Sequence, residues 1–187
     1  MPESPFPMTL HGGAVLLGEP CAGGLGAQRA ALAGMTGREG WPDITRNAHG
    51  KPLFSAGGTE HGHCSLSHGG GWVIAARAPV AIGVDVEAPA ERLEKVRRRF
   101  VGPLDQAVIG HFGDSLDTLC RLWTAKEAAF KVFGTGVDFL TGLQWTQVGD
   151  HGATVQATVQ GALLDIRWCR LATPDAWMAV ALAQESL

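Results

Sequence analysis

The chain has 187 residues, 45% of them hydrophobic and 18% charged, which fits one large domain or two small halves around shared cores and excludes a disordered chain. Its formal net charge of −3 provides no general basic field for nucleic acid. The four cysteines, Cys21, Cys64, Cys120 and Cys169, are scattered, with no Cys-x-x-Cys pair, so reduced thiols in the cytoplasm are expected rather than a disulfide framework. Neither a signal peptide nor a membrane span is expected, because the N-terminus lacks a basic segment and its apolar run is broken by His11, Gly12 and Gly13.

In chain order, Ala14-Val15-Leu16-Leu17 reads as a strand closed by Gly18-Glu19-Pro20. The alanine-rich stretch from Leu25 to Met35 is helix-compatible and ends at Gly34 or Gly37. Ile44 to Asn47 is a short strand, and Lys51-Pro52-Leu53-Phe54 resumes an extended path, since a residue before proline avoids the helical region. Cys64 to His68 and Trp72 to Ala76 are strands on either side of Gly69-Gly70-Gly71, with the hairpin continuing through Ala81 to Glu87. Glu91 to Phe100 and Leu104 to Phe112 have helical patterns. Ser115 caps a long helix running to Phe133, with Asp117 in its first turn and Gly134 and Gly136 after it. On that helix Leu116, Leu119, Trp123 and Phe130 recur at the spacing of a buried stripe. Thr154 to Val159, Leu163 to Leu171 and Trp177 to Ala183 are strands by alternation and β-branched content. The class is α+β, with two halves, 1–84 and 85–187, each a small antiparallel sheet packed on helices, related by an approximate two-fold and enclosing a cleft.

Two segments carry the chemistry. In Gly83-Val84-Asp85-Val86-Glu87 the acids stand at i, i+2 and share one side of a strand, about 7 Å apart. On its own such a pair is most often a polar strand face. Here it ends an apolar run, and acids at the end of a buried strand need a reason, because unpaired buried charge is costly. About forty residues later, Trp123, Glu127 and Lys131 stand at i, i+4, i+8 on one helix stripe. Glu127 and Lys131 alone would be an ordinary surface pair worth a few tenths of a kcal/mol. Flanked by Trp123 and Phe130, they sit at the edge of an apolar face. If strand and helix pack together, three carboxylates converge beside one lysine, a donor set suited to Mg²⁺ and a phosphate.

His68, between Ser67 and three glycines, can form an anion pocket with bare backbone amides, and Lys51 after Gly50 can add a second phosphate contact. Each is also an ordinary turn or surface residue. His61, His63, Cys64 and His68 could be a zinc site, but in a strand Cys64 points away from His61 and His63, and the spacing fits no standard zinc motif. Arg97-Arg98-Arg99 reads as a solvated helix face, or as a surface for an acidic partner.

These pieces, in this order, resemble the 4′-phosphopantetheinyl transferases of the two-halved, surfactin-synthetase-activating type. Gly50-Lys51-Pro52 looks like the first motif of that family, and Ser65-Leu66-Ser67-His68 followed by Trp72-Val73 like the second. Gly83-Val84-Asp85-Val86-Glu87 matches its Gly-Ile-Asp-Ile-Glu motif. Trp123-Thr124-Ala125-Lys126-Glu127-Ala128 with Lys131 and Gly134 matches Trp-x-x-Lys-Glu-Ala-x-x-Lys-x-x-Gly, and Arg99-Phe100 with Pro103 stands where the family has Arg-Phe-Phe-x-Pro. The motifs span roughly residues 40 to 145.

The resemblance implies transfer of phosphopantetheine from coenzyme A to a serine of an apo acyl or peptidyl carrier protein, with release of 3′,5′-ADP. It implies that Asp85, Glu87 and Glu127 hold Mg²⁺, that Lys131, His68 and Ser67 line the phosphates, and that Lys51 lies near the 3′-phosphate or adenine. A carboxylate, Glu127, would take the serine proton, with Asp85 and Lys131 completing the catalytic set. Members of this type usually carry a basic N-terminal segment. Before Lys51 this chain offers only Arg29, Arg38 and Arg46, and the resemblance implies a coenzyme A contact at Arg46, with His49 as an alternative for the 3′-phosphate. A monomer is expected, since two halves can supply both walls of a cleft. A Mg²⁺-dependent diphosphate hydrolase and a non-catalytic carrier-binding module are the alternatives.

Overall fold

The computed structural model describes residues 6–10, 12–37, 43–46, 52–56, 59–134, 136–158 and 161–184, with 43–46, 52–56 and 59–61 described by backbone pairing. The class is α+β, as expected, with two antiparallel sheets. The first holds β1 (Met8–Thr9), β2 (Val15–Pro20), β3 (Asp43–Arg46), β4 (Pro52–Ala56), β5 (Thr59–Gly69) and β6 (Trp72–Ala78), in the order β1-β2-β6-β5-β4-β3. The second holds β7 (Ile82–Glu87), β8 (Leu143–Gly149), β9 (Gly152–Ala157), β10 (Leu163–Ala172) and β11 (Asp175–Ala183), in the order β7-β11-β10-β9-β8. The helices are α1 (Leu25–Thr36), α2 (Arg92–Val96), α3 (Gln106–Phe112) and α4 (Leu116–Phe133), with short 3-10 turns at Arg97–Arg99 and Pro103–Asp105.

The alternation of β6 builds the layers. Val73 and Ala75 point to one face and pack with Met35 of α1. Trp72, Ile74, Ala76 and Ala78 point to the other, where they meet Ile82, Val84 and Val86 of β7 and Met178 and Val180 of β11. The far face of the second sheet buries Val155, Ile166, Ala179 and Ala181 against α4. The two sheets thus pack face to face, with α1 on one outer side and α4 on the other.

One expectation fails here. The β5–β6 hairpin forms, with Ser67 opposite Ile74 and Leu66 opposite Ala75. It does not continue into Ala81–Glu87. After Ala78 the chain crosses to the other sheet, and β7 pairs with β11, Asp85 opposite Ala179 and Glu87 opposite Trp177. The reason is burial on both faces: Ile82 through Val86 are all buried, so β7 needs a layer on each side. Strand β8 also went unforeseen, because its buried Leu143 and Trp145 give way to exposed and half-buried residues after a register shift between Trp145 and Gln147.

Helix α4 begins as its sequence demands: Ser115 Oγ accepts from the Thr118 N–H at 3.2 Å, and Gly134 ends the helix at φ 81°. Its buried face differs from the predicted stripe. Leu119, Cys120, Leu122, Ala125, Ala128, Ala129 and Val132 are buried, whereas Trp123 and Phe130 are half-buried against Phe139. Alanines face the sheet because the helix lies almost directly on it. A Cβ at Gly83 would stand 1.9 Å from the carbonyl oxygen of Ala128. Gly83→Ala is therefore expected to destabilise the fold by about 1–3 kcal/mol or more, since main chain must move to admit the methyl. A urea melt showing wild-type stability would contradict the close packing of α4 on β7.

Candidate active site

The contact at Gly83 sets the rest of the geometry. Ala128 rests on β7, so Glu127 and Lys131 on either side of it reach toward Asp85. Lys131 Nζ donates to Asp85 Oδ1 at 2.8 Å, to the Val84 carbonyl at 2.8 Å and to Ser67 Oγ at 3.1 Å. Ser67 Oγ in turn donates to Asp85 Oδ1 at 2.8 Å, and two residues earlier Ser65 Oγ accepts from the Val84 N–H at 3.0 Å. Both serines project from the same side of β5, so strand alternation makes them a pair of stitches between the two sheets. Cys120, on the Glu127 side of α4 two turns earlier, donates its thiol to the Glu87 carbonyl at 3.3 Å. Helix α4 therefore holds two carbonyls of β7, one from each end of the stripe.

The carboxylates share one poorly hydrated neighbourhood. Burial raises the pKa of Glu127, the negative charges of Asp85 and Glu87 raise it further, and Lys131 opposes them. Burial likewise raises Glu87, with Arg92 opposing and Asp85 reinforcing. Glu127 thus feels both other acids, and Glu87 feels Asp85. Asp85 is paired with Lys131, their side chains 11% and 28% exposed. Glu87, at the end of β7, is paired with Arg92 at the start of α2.

An all-oxygen set of three neighbouring carboxylates fits a hard divalent cation, which would offset the burial, and with it the mutual repulsion, that raise Glu87 and Glu127 above their ordinary range. Two of the three are turned to cations of their own chain. Among the described residues no cluster of three or more His, Cys, Asp or Glu side chains is gathered about one ion-sized point. A cation held by these acids would have to take the place of Lys131 at Asp85 or of Arg92 at Glu87. The histidine alternative gains nothing from the fold: Cys64 is buried, while His63 and His68 are exposed.

The other predicted residues fall into three groups. His68 is exposed near the end of β5, and the next residue lies against the acids: a Cβ at Gly69 would stand 2.2 Å from the Val86 carbonyl oxygen and 3.4 Å from the Glu87 carboxyl carbon. The space at Gly70 is taken by the Ala88 nitrogen and Ala176, and at Gly71 by Pro174, so this turn serves the joint between the sheets. Ser67 is buried and already engaged by Asp85 and Lys131. Lys51 lies outside the described residues, and Arg46 is described only as a backbone position opposite Pro52.

Three contributors escaped the sequence reading. Arg92 left no signal beyond its position five residues after Glu87. Cys120 could have been found as the residue two helical turns before Glu127. Lys126 sits inside the predicted motif yet faces away from the acids. It is 1% exposed and donates to Asp105 Oδ2 and the Phe100 carbonyl, each at 2.7 Å, and to the Phe139 carbonyl.

Two comparisons bear on these residues. The chain is 29% identical over 91 residues to a 4′-phosphopantetheinyl transferase of Bacillus subtilis, a match covering 48% of this chain and 40% of that protein. The chain thus matches well under half the length of that relative. The model of the 4′-phosphopantetheinyl transferase superfamily matches residues 81–182, the segment that contains Asp85, Glu87, Arg92, Cys120, Lys126, Glu127 and Lys131. With more than half of its length matched, and with β7 and α4 bringing together the acids and lysine of the motifs, the chain belongs to the 4′-phosphopantetheinyl transferase superfamily.

Proposed function

We propose that this chain transfers the 4′-phosphopantetheine group of coenzyme A to a serine of an apo acyl or peptidyl carrier protein, with Mg²⁺, releasing 3′,5′-ADP. The observation that carries it is the meeting of Lys131 with Asp85 beside two further carboxylates, inside the segment matched to the superfamily. Asp85, Glu87 and Glu127 would hold the cation, which when bound supplies charge neutralisation to the diphosphate. The carrier serine oxygen attacks the phosphorus that bears pantetheine. The bridging P–O bond breaks, and 3′,5′-ADP departs with the bridging oxygen. Glu127 receives the serine proton, directly or through a water. Lys131 keeps its ammonium at Asp85 and turns toward the diphosphate as charge builds on the leaving group.

Coenzyme A is assigned to a cleft between residues 1–84 and 85–187, with His68 and Ser67 on its phosphate side and Lys51 and Arg46 toward the 3′-phosphate. A monomer is assigned, since two halves of one chain can supply both walls of such a cleft. Among the described residues no helix is long and apolar enough to cross a membrane. The reaction is assigned to the cytoplasm, where coenzyme A and apo carriers meet.

The test is to incubate the chain with coenzyme A, Mg²⁺ and an apo carrier protein, and weigh the carrier. Serine modification supports the transferase. Coenzyme A cleavage without modification would mean a hydrolase, and neither result would mean a binding module. A second measurement concerns the 3′-phosphate, which is remote from the bond broken and so acts mainly through binding. The wild type is expected to prefer coenzyme A over 3′-dephospho-coenzyme A, and Lys51→Ala to lose most of that preference. An unchanged preference in Lys51→Ala would assign the 3′-phosphate to other residues, Arg46 or His49 first.

A further inference from the structure

We propose that Arg92 is an exchangeable counter-ion: it neutralises Glu87 in the metal-free chain and passes to a phosphate of the diphosphate when a divalent cation takes Glu87. This rests on the assignment of Glu87 to the metal in the proposed function. Two cations of the chain hold the acids of β7, and they differ in kind. Lys131 is bound to Asp85, to Ser67 and to the Val84 carbonyl, so its ammonium is fixed by three acceptors. Arg92 reaches the acids through one contact, from Nη2 to Glu87 Oε2. The Arg92 side chain is 62% exposed and that of Glu87 20%, so the guanidinium covers the carboxylate from the solvent side. It can leave without being buried itself, and the cation that displaces it takes over the charge of Glu87.

The backbone that carries Arg92 is anchored on both sides. The Ala88 nitrogen lies 2.7 Å from where a Cβ at Gly70 would be, and Leu93, the next residue of α2, is 2% exposed in the core. Only the side chain is free to swing, and it swings about the rim of the acidic site. An exposed ion pair is weakly held, and a divalent cation on the same carboxylate outcompetes a monovalent one. Once displaced, the guanidinium has a planar fork of donors suited to two phosphate oxygens. In the metal-free chain it holds an acid that would otherwise repel its neighbours. In the loaded chain it stands beside the anion those acids and their cation recruit.

The two halves of this exchange have opposite signs in one variant. Mn²⁺ binding without nucleotide is measured by electron paramagnetic resonance in wild type, Arg92→Gln and Glu87→Gln, and coenzyme A binding in saturating Mg²⁺ by calorimetry in wild type and Arg92→Gln. Circular dichroism melts check that each variant is folded. Arg92→Gln is expected to bind Mn²⁺ about two- to fivefold more tightly, because the competitor is gone. It is expected to bind coenzyme A at least about tenfold more weakly, because a charge-assisted contact is lost. Unchanged or weaker Mn²⁺ binding in Arg92→Gln overturns the exchange, and so does unchanged coenzyme A binding. If Glu87→Gln binds Mn²⁺ as tightly as wild type, the assignment of Glu87 to the metal falls, and the exchange falls with it. If Glu87→Gln weakens Mn²⁺ while Arg92→Gln leaves it unaltered, the exchange alone is wrong.

Discussion

Glu127→Gln is expected to lower phosphopantetheine transfer at least about a hundredfold while the protein stays folded. The substitution keeps the shape of the side chain on α4 and removes one negative charge and one proton acceptor. Both matter to the proposed reaction, since an amide neither holds a hard cation well nor takes the proton of the carrier serine. The fold should not suffer. Burial and the charges of Asp85 and Glu87 raise the pKa of Glu127 in the folded chain, so its ionised form is held against an electrostatic cost at neutral pH. A carboxyl whose folded pKa exceeds its unfolded one takes stability away as pH rises through that range. Replacing it with Gln should leave the melting temperature at pH 7 unchanged or raised. The measurement is transfer to an apo carrier alongside a thermal melt. Near-normal turnover would remove Glu127 from the chemistry. Lost turnover with a collapsed melt would make it a structural residue.

The second large effect is on stability and comes from the neighbouring residue. Lys126→Ala is expected to destabilise the fold by about 3–5 kcal/mol, because it strands the Asp105 carboxylate in the core. Asp105 is 0% exposed and accepts from Lys126 at 2.7 Å, from Trp145 Nε1 at 2.8 Å and from the Gly102 N–H at 2.7 Å. Burial lowers the pKa of Lys126, and the charge of Asp105 opposes that shift. Neither partner is comfortable without the other. The double variant Lys126→Met, Asp105→Asn should recover much of the loss, since no unpaired charge remains and Asn can still accept from Trp145. Urea melts of the single and double variants form the test, and equal losses in the two would mean that the ion pair is not what binds α4 to its loops.

Adjacent residues of one motif thus do opposite work, and this marks how far the sequence could be read. Periodicity and capping located α4 almost to the residue, since Ser115, Gly134 and the i, i+4 spacing are local properties. The contact of Lys131 with Asp85 was also legible, because strand and helix spacings each put the right groups on one side. Lys126 was not, since nothing local says that the residue beside Glu127 is buried. That depends on Phe100, Asp105 and Phe139, distant in the chain. The crossing of β7 to a second sheet was missed for the same reason. An apolar run beside a hairpin reads alike whether it extends the hairpin or leaves it, and only its burial on both faces separates the two. The glycines of the β5–β6 turn were rightly read as permitting close approach, but what approaches is Val86, Ala88 and Pro174.

The face-to-face packing of the sheets limits how the chain can be cut. The segment matched to the superfamily, 81–182, looks like a ready-made unit for expression. Released alone, it would turn Ile82, Val84, Val86, Met178, Val180 and Leu182 out to water, all of which are now covered by β2 and β6. It would also leave the Val84 N–H and Asp85 without Ser65 and Ser67. Such a fragment would carry all three acids and the lysine on a sticky, unsupported sheet, prone to self-association. Any shortened form meant to retain chemistry must bring β2, β5 and β6 with it.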